Sequence, residues 1–183
     1  MLAEKCKVAV FVSGGGTNLQ AILDSRGEII KNAEIYLVAS SSKDAYALER
    51  AKKHDIETFI IEDEQRLVEK LKSLEIDFIV LAGYLRILSE DFCKRYSNRI
   101  INVHPSLIPS FCGKGFYGLK VHEKALEYGV KVSGATVHFV NEIPDGGKII
   151  DQKAVRVHEG DTAEDLQKRV MAEAEHIILP QAV

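Results

Sequence analysis

Lys7 to Val12 reads as a strand, apolar from Val8 onward, and it runs straight into Ser13-Gly14-Gly15-Gly16-Thr17-Asn18. A run with no polar alternation is a strand covered on both faces, as in the interior of a parallel sheet. Leu19 to Ser25 then has helical character, and the alternation continues. Ala33 to Ala39 reads as a strand, Ala45 to His54 as a helix and Glu57 to Ile61 as a strand. Glu64 to Leu74 reads as a charged amphipathic helix and Phe78 to Ala82 as a fourth strand. Ser89 caps a helix that runs to about Tyr96, and Arg99-Ile100-Ile101 belongs to a fifth strand. Strands and helices alternating at this length give a parallel sheet with right-handed crossovers.

The second half changes character. Pro105, Pro109, Gly113, Gly115 and Gly118 break up a loop, and Lys120 to Tyr128 is a helix closed by Gly129. Val130 to Val140 and Lys148 to Val157 read as two long strands of an antiparallel hairpin. The wide loop Asn141-Glu142-Ile143-Pro144-Asp145-Gly146-Gly147 joins them. Thr162 to about Leu179 reads as one final helix, with Asp161 as its cap. The predicted fold is therefore α/β: a three-layer, mostly parallel, Rossmann-like open sheet with a carboxyl-terminal antiparallel hairpin. No internal repeat, low-complexity tract or linker interrupts residues 1–183, so a single domain is expected.

Composition narrows the partners. A chain of 183 residues buries roughly 70% of its unfolded surface and needs no covalent staple. The formal net charge is −3, with no basic block, so a nucleic-acid surface is not indicated. No apolar run approaches the roughly 20 residues of a membrane span. Met1 to Lys7 lacks the apolar core of a signal peptide. Three widely spaced cysteines, Cys6, Cys93 and Cys112, argue for a reducing, cytoplasmic setting and against a disulfide framework. The six histidines form no i,i+3 or i,i+4 pair, so no local metal motif exists.

Three features follow the carboxyl ends of predicted parallel strands, where open α/β sheets bind ligands. The first is the glycine loop. It lacks the Gly-Lys-Ser/Thr ending of a Walker loop. It also lacks the third glycine of a dinucleotide fingerprint, since Leu19 stands there, and Ala39-Ser40-Ser41 replaces the acid wanted after the next strand. A lone phosphate monoester is the better guest, with Thr17 and Asn18 adding side-chain bonds. The second is the apolar run Gly83-Tyr84-Leu85-Arg86-Ile87-Leu88, one wall of a pocket for a flat apolar ligand. The third is Asn102-Val103-His104-Pro105-Ser106. Asn102 and His104 are two apart, so an extended backbone points both to the same side. Pro105 favours that backbone at His104.

With these residues in view, the chain resembles the folate-dependent formyltransferases over nearly its whole length, from Val8 to about Val183. Asn102-Val103-His104-Pro105-Ser106-Leu107-Ile108-Pro109, Val137-His138-Phe139-Val140 and Asp145-Gly146-Gly147 carry the resemblance. Ser13-Gly14-Gly15-Gly16-Thr17-Asn18-Leu19-Gln20 narrows it to the branch acting on glycinamide ribonucleotide in purine synthesis. The resemblance implies 10-formyltetrahydrofolate as co-substrate, phosphoribosylglycinamide as acceptor, no metal, and a monomer or weak homodimer. It implies that Gly16, Thr17 and Asn18 hold the substrate phosphate and that Glu175 contacts the ribose. Leu85, Arg86, Ile87 and Leu88, with Asn102, line the folate site. Asn102, His104 and Asp145 form the catalytic set, and neither Cys112 nor a serine acts as nucleophile. Residues 1–100 are the expected phosphate-binding half, and residues 101–183 the catalytic and folate-binding half. Asp145 is expected to raise the pKa of His104. The chain departs from the family pattern at Glu62-Asp63-Glu64, where many members carry a basic folate contact. The loop Gly113 to Gly118 resembles a longer variant.

Overall fold

Burial of both strand faces explains the unbroken apolar runs. In the computed structural model, which describes residues 5–183, Val8, Val10 and Val12 enter one core layer, and Ala9 and Phe11 enter the other. The strands are β1 (Cys6–Val12), β2 (Ala33–Ser40), β3 (Glu57–Ile60), β4 (Phe78–Leu81), β5 (Ile100–His104), β6 (Val132–Phe139) and β7 (Ile149–Arg156). The helices are α1 (Thr17–Asp24), α2 (Tyr46–Lys52), α3 (Glu64–Ser73), α4 (Glu90–Arg95), α5 (Leu119–Tyr128), α6 (Ala163–Val170) and α7 (His176–Ala182).

One seven-stranded sheet has the order β3-β2-β1-β4-β5-β6-β7. The first five strands are parallel, and β6 runs antiparallel to both β5 and β7. Helices α1, α2, α5, α6 and α7 contribute to one core layer, through residues such as Leu19, Ala47, Ala125, Leu166 and Ile178. Helices α3 and α4 contribute Leu67, Leu71 and Phe92 to the other. The chain leaves the β3 edge and re-enters the sheet at β4, beside β1. The loops after β1 and β4 therefore diverge, which opens the crevice where such sheets bind ligands.

Local chemistry fixes the boundaries. Asp63 accepts from the Arg66 N–H at the start of α3, and Ser89 accepts from the Phe92 N–H at the start of α4. Gly129 ends α5 in the left-handed conformation. The carboxyl-terminal helix departs from expectation in two ways. Its cap is Thr162, in a reciprocal capping box with Asp165, whereas Asp161 pairs with Arg169 at 2.5 and 2.7 Å. It is also not one helix: a π turn, Met171–Glu175, separates α6 from α7. Such a turn takes in extra residues locally, and its i→i+5 bonding leaves no mark on an apolar periodicity. Both Ala174 and Glu175 are buried there.

Candidate active site

A cavity of about 820 Å³ lies at the carboxyl ends of β1, β4 and β5. Every site residue expected from the sequence lines it: Gly16, Thr17, Asn18, Leu85, Arg86, Ile87, Leu88, Asn102, His104, Asp145 and Glu175. Segments more than 150 residues apart in sequence thus share one wall-to-wall space.

At one end, the glycine loop is braced by α2. The Gly14 carbonyl accepts from the Ala47 N–H (3.1 Å) and the Gly15 carbonyl from Arg50 Nε (2.8 Å). Arg50 also bonds the Gln20 side chain on α1 (2.9 Å). The first turn of α1 offers N–H groups that have no acceptor within the helix. Gly14 and Gly15 have open space where a Cβ would stand. Gly16 has φ 72°, and its Cβ would lie 2.6 Å from Ala47 Cβ. Gly16 is therefore a packing requirement as well as a loop residue. Thr17 is exposed, but Asn18 is buried and donates from Nδ2 to Glu175 Oε2 (2.7 Å), while its Oδ1 has no partner among the described residues. Burial pushes the Glu175 carboxyl above its ordinary range, and the Asn18 bond opposes this.

The apolar wall is uneven. Leu85 and Ile87 are 64% and 73% exposed, so these two present surface to a ligand. Leu88 is buried, lining the cavity from the core layer of α3 and α4. The Arg86 guanidinium is tied to the carbonyls of Ile61 (3.0 Å) and Ser41 (2.8 Å). Ser13 fastens this wall to the glycine loop, accepting from the Leu85 N–H at 2.8 Å and meeting Ser41 Oγ at 2.7 Å. The acidic stretch serves structure: Glu64 accepts from the Ser89 N–H (2.8 Å) and the Ser89 hydroxyl, and Glu62 pairs with Arg66.

At the other end, β5 delivers Asn102 and His104 from the same side, with Ile101 and Val103 facing the core layer opposite. His104 Nε2 donates to the Phe111 carbonyl (2.9 Å), and its Nδ1 lies 3.5 Å from Asp145 Oδ2. Asp145 Oδ2 accepts from the Gly113 N–H at 2.8 Å. The expected elevation of the His104 pKa is not the net result. His104 is 5% exposed, and burial, with a smaller effect of His138, lowers its pKa by more than Asp145 and the Phe111 carbonyl raise it. At 3.5 Å the carboxylate is beyond a direct hydrogen bond, which limits its effect. Burial likewise pushes Asp145 up, but His138, His104 and the Gly113 N–H hold it below its ordinary value.

Some cavity residues carried no role in the sequence reading. His138 stands opposite Asn102 in the β5–β6 register and contacts it at 3.2 Å. His122 is fully buried, neither ring nitrogen has a partner among the described residues, and burial with the nearby His104 brings its pKa down to about 4. Gln167 and Met171 line the cavity one helical turn apart ahead of Glu175. The Val137-His138-Phe139-Val140 motif was a signal for His138, but its partner becomes visible only once the strand pairing is known.

Comparison with known proteins agrees with this arrangement. A family model described as formyl transferase matches residues 6–183. The chloroplastic phosphoribosylglycinamide formyltransferase of Arabidopsis thaliana is 40% identical over 97% of the chain, which spans 64% of that protein. The phosphoribosylglycinamide formyltransferase of Haemophilus influenzae is 39% identical over 97% of the chain, which spans 85% of it. The chain spans only 18% of the trifunctional purine biosynthetic proteins it matches in animals such as Homo sapiens. A solved phosphoribosylglycinamide formyltransferase from Anaplasma phagocytophilum superposes with a TM-score of 0.90 at 37% identity, covering 97% of this chain and 84% of that one. The sheet order, the shared cavity and these matches together establish that the chain belongs to the formyl transferase family, on its phosphoribosylglycinamide formyltransferase branch.

Proposed function

We propose that this chain transfers the formyl group of 10-formyltetrahydrofolate to the amino group of 5-phosphoribosylglycinamide, giving formylglycinamide ribonucleotide and tetrahydrofolate in de novo purine synthesis. The observation that carries the reading is the single cavity joining the glycine loop, the exposed Leu85 and Ile87 wall, and the Asn102, His104 and Asp145 cluster. A glycine loop for a phosphate, an apolar wall for a flat heterocycle and a polar cluster, all facing one space, match a two-substrate transfer. Residues 1–100 supply the glycine loop and the Leu85 and Ile87 wall, and residues 101–183 supply Asn102, His104, Asp145 and Glu175, so the folate wall falls in the phosphate-binding half and not, as expected, in the catalytic one.

The neutral amine attacks the formyl carbon, and the carbonyl oxygen becomes an oxyanion. The amine's proton is lost, the folate nitrogen gains one, and the carbon–nitrogen bond to the folate breaks. His104 gives its Nε2–H to the oxyanion in exchange for the Phe111 carbonyl, and Asn102 supplies a second donor. Asp145 stabilises the charged ring during the step. Phe111 holds φ 49°, a left-handed conformation that L residues rarely adopt, so the bond to be exchanged comes from a strained residue. Glu175 takes a ribose hydroxyl. The setting is a reducing, cytoplasm-like compartment, and the acting unit is a monomer or weak homodimer. The test is conversion of phosphoribosylglycinamide and 10-formyltetrahydrofolate to the formylated product by the purified chain. Formate release with no ribonucleotide-dependent product would replace transfer with hydrolysis, the activity named for a 28% identical formyltetrahydrofolate deformylase from Pseudomonas syringae.

A further inference from the structure

Asn102 has a chemical ambiguity that its own strand does not resolve. A primary carboxamide has nearly the same shape after a half-turn about its last torsion, but the turn exchanges an acceptor for a donor. A site that stabilises an oxyanion needs the NH₂ at a fixed place, because a carbonyl oxygen there would repel the charge. Something in the wall must therefore read the two ends apart.

The cross-strand partner does this. His138 is 1% exposed and stands opposite Asn102 in the antiparallel pairing of β5 with β6. Its Nδ1 lies 2.8 Å from the Phe139 carbonyl. A carbonyl only accepts, so Nδ1 carries the proton, and in the neutral ring Nε2 is left with a bare lone pair. That lone pair is 3.2 Å from Asn102 Nδ2. The only bond it makes with the amide is one received from the NH₂. Asp145 Oδ1 is the farther neighbour of Nε2, at 3.6 Å against 3.2 Å for the amide nitrogen, and a carboxylate oxygen so placed disfavours a second oxygen, that of the amide, beside it.

We propose that His138 is a positioning residue for Asn102. Locked as the Nδ1–H tautomer by the Phe139 carbonyl, it holds the carboxamide with Nδ2 toward Nε2, leaving one N–H and Oδ1 for the reacting groups. The catalytic consequence rests on the formyl-transfer reading above; the tautomer and the orientation do not.

Two measurements test it separately. In the wild-type chain labelled with ¹⁵N, long-range proton–nitrogen correlation at neutral pH should show His138 with a protonated Nδ1 and an unprotonated Nε2. An Nε2–H tautomer or a doubly protonated ring overturns the proposal, whether or not the chain is active. In kinetics, His138→Phe keeps a ring and removes the acceptor. It should lower kcat about 100-fold, the low end for loss of an oxyanion donor, with KM for both substrates within about threefold. Placed on Asn102→Ala, the same change should cost no more than about twofold, because its target is gone. His138→Gln, whose carbonyl can accept from the amide, should recover much of kcat. Losses that multiply, or a variant affected in KM alone, overturn the positioning role. Absence of formyl transfer in the wild type rejects the functional reading alone and leaves the nitrogen spectrum to decide this one. If His138→Phe fails to fold, the same spectrum decides.

Discussion

Acid should weaken this fold through His122, and the size follows from its burial. The ring is inaccessible to solvent, neither nitrogen has a partner among the described residues, and its pKa is brought down from 6.5 to about 4 by burial first and by His104 second. A depressed pKa on a base means that the folded state favours the neutral ring. The contribution is therefore complete above the unfolded value of 6.5 and is lost as the pH falls toward 4. A shift of this size corresponds to about 3 kcal/mol in full, and about 2 to 3 kcal/mol is lost between pH 7 and pH 4.5. His122→Leu removes the titrating group at similar volume. It also removes two unpaired buried polar atoms, so it should be neutral or stabilising at pH 7. The assay is urea unfolding at pH 7 and pH 4.5 for both chains. His104 and His176, also held below their ordinary values by burial, remain in both and largely cancel in the comparison. The wild type should lose about 2 to 3 kcal/mol more than the variant. Equal losses would refute the argument, and so would a variant that loses more.

Gly16→Val should destabilise the fold by about 2 to 4 kcal/mol, through left-handed strain and collision with Ala47, whereas Gly14→Ala should leave the melting temperature unchanged. Gly14→Ala should instead raise KM for the ribonucleotide about tenfold by narrowing the approach to the loop backbone; an unchanged KM would move the phosphate elsewhere. Asp145→Asn should lower kcat about 100- to 1,000-fold. It should also shift the alkaline limb set by His104 to lower pH, since the active ring is the charged one and Asp145 raises its pKa. Its loss should not multiply with that of His104→Ala, and full multiplication would show independent action. Leu85→Asp should weaken a folate analogue about 10- to 100-fold in calorimetry while sparing phosphate binding, because it charges an exposed apolar wall. Undiminished affinity would displace the folate site.

Local sequence pattern was enough to read the sheet and to name residues that the fold brings to one cavity. Unbroken apolar strands such as Val8 to Val12 need cover on both faces, and that need is met only by crossover helices on either side. Glycine spacing and the Asn102-x-His104 pair follow from single-residue geometry, which is local and so legible. Hydrogen-bond allegiance and protonation are not local. Asn18 bonds Glu175 across 157 residues, and Leu88 is buried in the core layer while its neighbours Leu85 and Ile87 are exposed. The π turn that precedes α7 breaks a helix whose periodicity looked continuous. The His104 pKa is set by competition between desolvation and a carboxylate 41 residues away, and only their distances show that desolvation wins. The role of His138 depends on which residue faces it across β5 and β6. Register is a property of paired strands, so tertiary structure alone could assign it.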